Sequence, residues 1–302
     1  SWARDWLFAN IDTDVMVMTT PDLHQYQLKR SKHDVHYVYV QHSLVSLHMA
    51  YRPGAFNHFD TLFCAGPHHV AEAKALQAQN DTRIRHIVAH GYERLDRILS
   101  EQENQPVQPE PNSVPHVLIA PSWGETGLIE RLGDGPVAAL LSAGLHVTLR
   151  PHPQTILHRK HAVDEILNKH RDNPLFQYDD DVSSTESSRL SDVMLSDWSG
   201  AALDYAFGLG KPVVFVDTPR KVNNKNYTTL GIEPFESSIR SVVGEIVAED
   251  DLAGLGEVVT RLLRRSDGVD RRKMAGEHVF NVGNSASAGA NALQQILQEC
   301  SA

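Results

Sequence analysis

Apolar residues in this chain come as short, near-continuous runs, each closed by a polar or turn-forming cluster and followed by a stretch of helical period. In the first hundred residues the runs are "DVMVMT" (14–19), "VHYVYV" (35–40), "TLFCAG" (61–66) and "RHIVAH" (85–90). "PHHVAEAKALQAQ" (67–79) reads as a helix between the last two. Later come "HVLIAPS" (116–122), "LHVTLRP" (145–151), "LFQYD" (175–179), "DVMLSD" (192–197) and "PVVFVD" (212–217). Helical patterns lie between and after them at 135–144, 161–172, 199–210 and 252–266. Strands apolar on both faces, alternating with helices, predict parallel sheets covered on each side.

One stretch breaks the rhythm. "SEQENQPVQPEPNSVP" (100–115) has four prolines, no aromatic residue and few large apolar ones, as an exposed linker does. The expectation is α/β: two doubly wound, Rossmann-like domains facing across a cleft. The first spans 1–104, the linker 105–115 and the second 116–302. The first part carries few strands for a complete domain, so part of it is expected to be missing at the N-terminus.

Composition narrows the function. A net charge of −10 argues against a nucleic-acid partner, whose footprint would be a basic face. No apolar run approaches the roughly 20 residues that cross a bilayer, and the opening "SWARDWLFAN" is not a secretory signal. The two cysteines, Cys64 and Cys300, form no framework or C-x-x-C pair, which favours a reducing, cytoplasmic compartment. Of 17 histidines, only His68-His69 and the pair His158 and His161 approach metal-ligand spacing, and neither has an H-E-x-x-H or acidic companion. No metal is expected.

In open α/β sheets, ligands bind beyond the carboxyl ends of the strands. The first part places Gln41-His42-Ser43, Gly66-Pro67-His68 and Gly91-Tyr92 there, and the second Pro121-Ser122-Trp123-Gly124, Arg150-Pro151-His152 and Ser196 to Gly200. "RPHP" (150–153) is either a surface arginine between turn-forming prolines or a preformed anion site. Proline fixes φ and holds the preceding residue extended. On the second reading Arg150 offers a planar fork to phosphate oxygens, and His152 donates to, or protonates, a leaving phosphate. Ser199 and Gly200 stand where a helix should start. Ser199 is a good N-cap, and such a start also presents N–H groups to an anion. Asp204, one turn on, is either a dipole partner or a ribose ligand. His42 is either an incidental loop histidine or a general base, with Ser43, Gly66 and Tyr92 on its acceptor side. "GLGKP" fails Walker spacing and "SDWSGA" fails G-x-S-x-G.

Taken together, "QHS" (41–43), "RPHP" (150–153), "SDWS" (196–199) with Asp204 and Lys211-Pro212, and "FNVGNSAS" (280–287) resemble the CDP-glycerol glycerophosphotransferase family. This is the teichoic-acid polymerase and primase group with a glycosyltransferase-B fold. The resemblance implies a transferase that moves a polyol phosphate from a CDP-activated donor to a hydroxyl of a cell-envelope polymer or lipid-linked acceptor. It works in the cytoplasm or peripherally at the inner face of the plasma membrane. His42 would take the acceptor proton. Arg150, His152, Ser196, Asp197, Ser199 and Gly200 would meet the diphosphate, Asp204 would hold the ribose, and Ser122 and Trp123 would line the nucleotide pocket. The nucleotide is a substrate, and no cofactor is implied. Two rivals remain: a nucleotide-sugar enzyme of the same fold (a glycosyltransferase or UDP-sugar 2-epimerase) and a non-catalytic nucleotide- or polymer-binding module.

Overall fold

The computed structural model describes residues 2–26, 28–104, 114–181, 184–264 and 269–300. These residues form two compact α/β units, each built on one parallel sheet. The first sheet runs β1 (Val15–Met18), β2 (His36–Val40), β3 (Thr61–Cys64) and β4 (His86–Ala89) in chain order. Its register pairs Val38 with Thr61 and Thr61 with His86. Tyr37, Tyr39, Leu62 and Phe59 fill one face.

The second sheet has six strands: β5 (His116–Ile119), β6 (His146–Leu149), β7 (Phe176–Tyr178), β8 (Val193–Ser196), β9 (Val213–Asp217) and β10 (Gly244–Ala248). Their order is β10-β9-β8-β5-β6-β7, all parallel. The chain leaves β5 towards β6 and β7, then returns to β5's other side as β8. That reversal between β5 and β8 is a topological switch point, where the loops after two neighbouring strands diverge to opposite faces and leave a crevice. The core beneath it holds Val117, Ile119, Val147, Leu149, Val193, Leu195, Val214 and Val216.

The helix Gly200–Leu209 is apolar on nearly every side, Asp204 excepted, because every residue from Ala202 to Leu209 is buried. It stops at Gly210, whose φ of +70° closes the helix in a left-handed turn that side chains resist.

The units do not follow the division expected from the linker. Val222–Phe235 and the chain from Ala275 onward belong to the first unit, and residues from Arg97 to Lys221 and Glu236 to Met274 make the second. Apolar contact explains the return. On the helix Ser285–Cys300, Ile296 packs with Ala292 and Leu293 against Val38 and Phe63, and burying an isoleucine contributes about 1.5–3 kcal/mol. Asp96 completes the joint by accepting from the backbone N–H groups of Gly283 and Ser285. The expected linker falls mostly on 105–113, outside the described residues. Among the described residues, no helix is long and apolar enough to cross a membrane.

Candidate functional site

At the switch point, buried hydrogen bonds lock the loops after β5 and β8 together. Ser196, at the end of β8, donates its hydroxyl to the Ala120 carbonyl at 2.7 Å. Asp197 accepts from the Ser122 N–H at 2.7 Å, the Ser122 hydroxyl at 3.0 Å and the Leu128 N–H at 2.9 Å. Burial pushes the Asp197 carboxyl up, and these donors pull it back. Ser122, Ser196 and Asp197 were expected to touch the donor. Their side chains are instead buried and committed to the framework, a correction that follows from the need to satisfy polar groups in a closed interior.

The same loops hold the neighbouring side chains. Glu130 accepts from the Thr155 hydroxyl at 2.8 Å, tying the helix Leu128–Leu132 to the short helix Pro153–His158 that follows "RPHP". Trp198 donates its indole N–H to the Thr218 carbonyl at 2.8 Å, with the Arg240 guanidinium 3.9 Å from its ring centre and ion-paired to Asp217. The β8 loop is thereby fastened to the end of β9, which delivers Lys221.

Three residues are left at this edge with chemistry to offer. Trp123 is 39% exposed, unusual for an indole held by a buried framework. The His152 ring lies 6.0 Å from it, and the Lys221 ammonium sits 4.6 Å above its centre. His152 caps its helix: Nδ1 accepts the Gln154 N–H at 3.1 Å, so the proton is on Nε2. Burial, and then the Lys221 charge, pull the His152 pKa down to about 4. The ring is neutral near pH 7, a hydrogen-bond donor through Nε2–H but a poor source of a proton. The helix start is present too, with the Ser199 hydroxyl accepting from the Ala201 N–H at 3.3 Å. Gly200 opens that helix beside the crevice, and Asp204 is buried within it.

Arg150 departs most from expectation. Its guanidinium donates to the carbonyls of Asp181 and Ser184 at 2.8 and 2.6 Å and to the Ser187 hydroxyl, with Asp179 3.7 Å away. It satisfies the carbonyls of Asp181 and Ser184, which need donors, and does not present its fork to a phosphate. Lys221, missed from sequence, is the cation beside His152. It follows a proline turn in a polar stretch, where no periodicity signals burial.

In the first unit the partly exposed His42 follows β2. Nδ1 lies 3.0 Å from the Tyr39 hydroxyl, and the Tyr51 ring meets it edge-on. Partial burial pulls the His42 pKa below the ordinary imidazole value, while a hydrogen bond to the Thr19 backbone raises it. Its loop is pinned from below. Glu72, fully buried, accepts the Leu47 N–H and lies 3.3 Å from His48 Nδ1, while His68 and His69 bond the carbonyls of Leu44 and Val45. Two of the expected acceptor-side residues are structural. A Cβ on Gly66 would lie 1.9 Å from the His278 carbonyl oxygen, so glycine is needed for that close approach. Tyr92 is buried and donates its hydroxyl to the His42 carbonyl at 3.1 Å. The Ser43 hydroxyl accepts from Val45 N–H at 3.4 Å.

No protein-family model and no curated protein matches the chain in sequence. Solved structures do match in fold. The wall teichoic acid polymerase TagF aligns over 91% of this chain and 70% of its own, at a TM-score of 0.55 and 16% identity. The UDP-GlcNAc 2-epimerase of Methanocaldococcus jannaschii, solved with UDP-GlcNAc and UDP, aligns over 97% and 79%, at 0.56 and 14%. The expected fold class holds: two parallel-sheet α/β units of the glycosyltransferase-B type.

Proposed function

We propose that the chain is a transferase that takes a polyol phosphate from a CDP-linked donor and passes it to a hydroxyl of a cell-envelope polymer or its lipid-linked precursor. The observation that carries the proposal is the group at the switch point of the second sheet: Trp123, His152 and Lys221 beside the N-terminus of the helix Gly200–Leu209. An exposed aromatic face, a neutral N–H donor, an ammonium and a helix start make a set suited to a nucleoside diphosphate. The motifs at 150–153 and 196–199 and the fold shared with TagF favour the polyol-phosphate version.

On this reading the acceptor oxygen attacks the donor's β-phosphorus. The bond from that phosphorus to the bridging oxygen breaks, and CMP leaves. His42 takes the acceptor's proton. His152 donates a hydrogen bond to the departing phosphate without surrendering its proton. Such a reaction belongs on the cytoplasmic side of the plasma membrane, where activated nucleotides are made.

The test is a thermal-shift screen with CDP-glycerol, CDP-ribitol, UDP-sugars, CMP, CDP, UMP and UDP, followed by measurement of CMP release on acceptor panels. A ligand at about 100 times its Kd stabilises by about 2.7 kcal/mol. We expect CDP compounds to stabilise and release CMP, and His42→Ala to fold normally while losing about 10²–10⁴-fold in rate. Stabilisation by UDP-sugars alone would move the chain to the nucleotide-sugar reading, which the UDP-bound epimerase of like fold supports. Wild-type turnover in His42→Ala would remove the base.

A further inference from the structure

We infer that Lys221 supplies the positive charge that distinguishes a nucleoside diphosphate from a monophosphate, the part that "RPHP" assigns to its arginine. The inference rests on the nucleotide-donor reading above and names the residue that reads the second phosphate.

Two lysines bracket β9, and their surroundings differ. Lys211, before the strand, donates to the carbonyls of Arg189 and Ser191, both at 2.6 Å. Lys221, after the strand at the carboxyl edge, has no hydrogen-bond acceptor and no carboxylate within ion-pairing distance among the described residues; its contact is the Trp123 face. A partly buried ammonium normally has acceptors for its three donors, because desolvating them unpaired is costly. An aromatic face offsets part of that cost and leaves all three N–H groups unmatched. Asp197 and Glu130 attract the ammonium from a distance, but their near donors are Ser122, Leu128, Gly124 and Thr155. Lys221 is therefore a cation without a protein acceptor, close enough to His152 for its charge to act on that ring. His152 presents Nε2–H beside Trp123, and the helix Gly200–Leu209 opens next to the β5 loop that carries Trp123.

Burial supports the assignment from a second direction. The Lys221 pKa is pulled down to about 8, so the ammonium is held in an environment that disfavours its charge. A bound phosphate would stabilise that charge and raise the pKa again. Arg150 cannot do the same without releasing the Asp181 and Ser184 carbonyls.

The experiment is calorimetric titration of the full chain with CMP, CDP, UMP and UDP, in wild type and in Lys221→Met, Lys221→Gln and Lys221→Arg. We expect wild type to prefer its diphosphate. Methionine or glutamine should weaken diphosphate binding by about 10–100-fold and leave the monophosphate within about threefold, while arginine retains most of the preference. Two neutral variants guard against one that fails to fold, and the arginine variant separates charge from shape. Diphosphate affinity unchanged in both neutral variants overturns the inference and leaves the nucleotide reading standing. No binding of any nucleotide by wild type overturns both.

Discussion

Asp197 grips Ser122 twice, through the backbone N–H at 2.7 Å and the hydroxyl at 3.0 Å. One carboxylate thus fixes the separation of two loops that leave neighbouring strands. The strength of the grip can be measured. In Asp197→Asn the amide NH2 must face at least one of the N–H groups that now donate to the carboxylate. We expect a loss of about 1–3 kcal/mol in urea denaturation, with nucleotide binding lost alongside. Ser122→Ala removes only the hydroxyl and should cost about 0.5–1.5 kcal/mol. Stability of Asp197→Asn within about 0.3 kcal/mol of wild type would show that the grip is incidental, since changes of that size are typical of unremarkable surface sites.

Arg150 holds the carbonyls of Asp181 and Ser184, so its removal should loosen the chain at those residues first. Arg150→Met is expected to lower Tm and to open new proteolytic cleavage beside Asp181 and Ser184, while CDP affinity falls less than in Lys221→Met. The reverse pattern, no new cleavage with diphosphate binding abolished, would return Arg150 to the phosphate role expected from sequence.

His152 makes a prediction about pH. Its folded pKa, about 4, lies below the ordinary imidazole value of 6.5. Between those values the unfolded chain binds more protons, so stability from this residue rises with pH across the window and is lost as pH falls through it. Denaturation midpoints of wild type and His152→Asn should converge as pH drops from 7 towards 4, because asparagine also caps a helix but does not titrate. A constant gap across that range would mean that His152 titrates normally. Turnover should likewise show no descending limb at neutral pH from this ring, since it acts as a neutral donor.

The sheets were readable from the sequence because parallel strands buried on both faces leave unbroken apolar runs, as "VHYVYV" and "PVVFVD" do. β10 was not, since in "GEIVA" only Val247 is buried and an edge strand needs no more. The strand ends were likewise readable, and with them the neighbourhood of the candidate site. The direction of each side chain was not. Arg150 turns to carbonyls 31 and 34 residues away, and Ser122 is claimed by a carboxylate 75 residues on. Local spacing carries no trace of either partner. Lys221 was silent for a related reason: its burial comes from Trp123, almost a hundred positions earlier.

The first unit draws its wall from the helix Ser285–Cys300, through Ile296 on Val38 and Phe63. The helix is made more than two hundred residues after the strands it covers, so Val38 and Phe63 lack this part of their packing until it emerges from the ribosome. In that interval the two side chains are apolar surface open to solvent or to a chaperone.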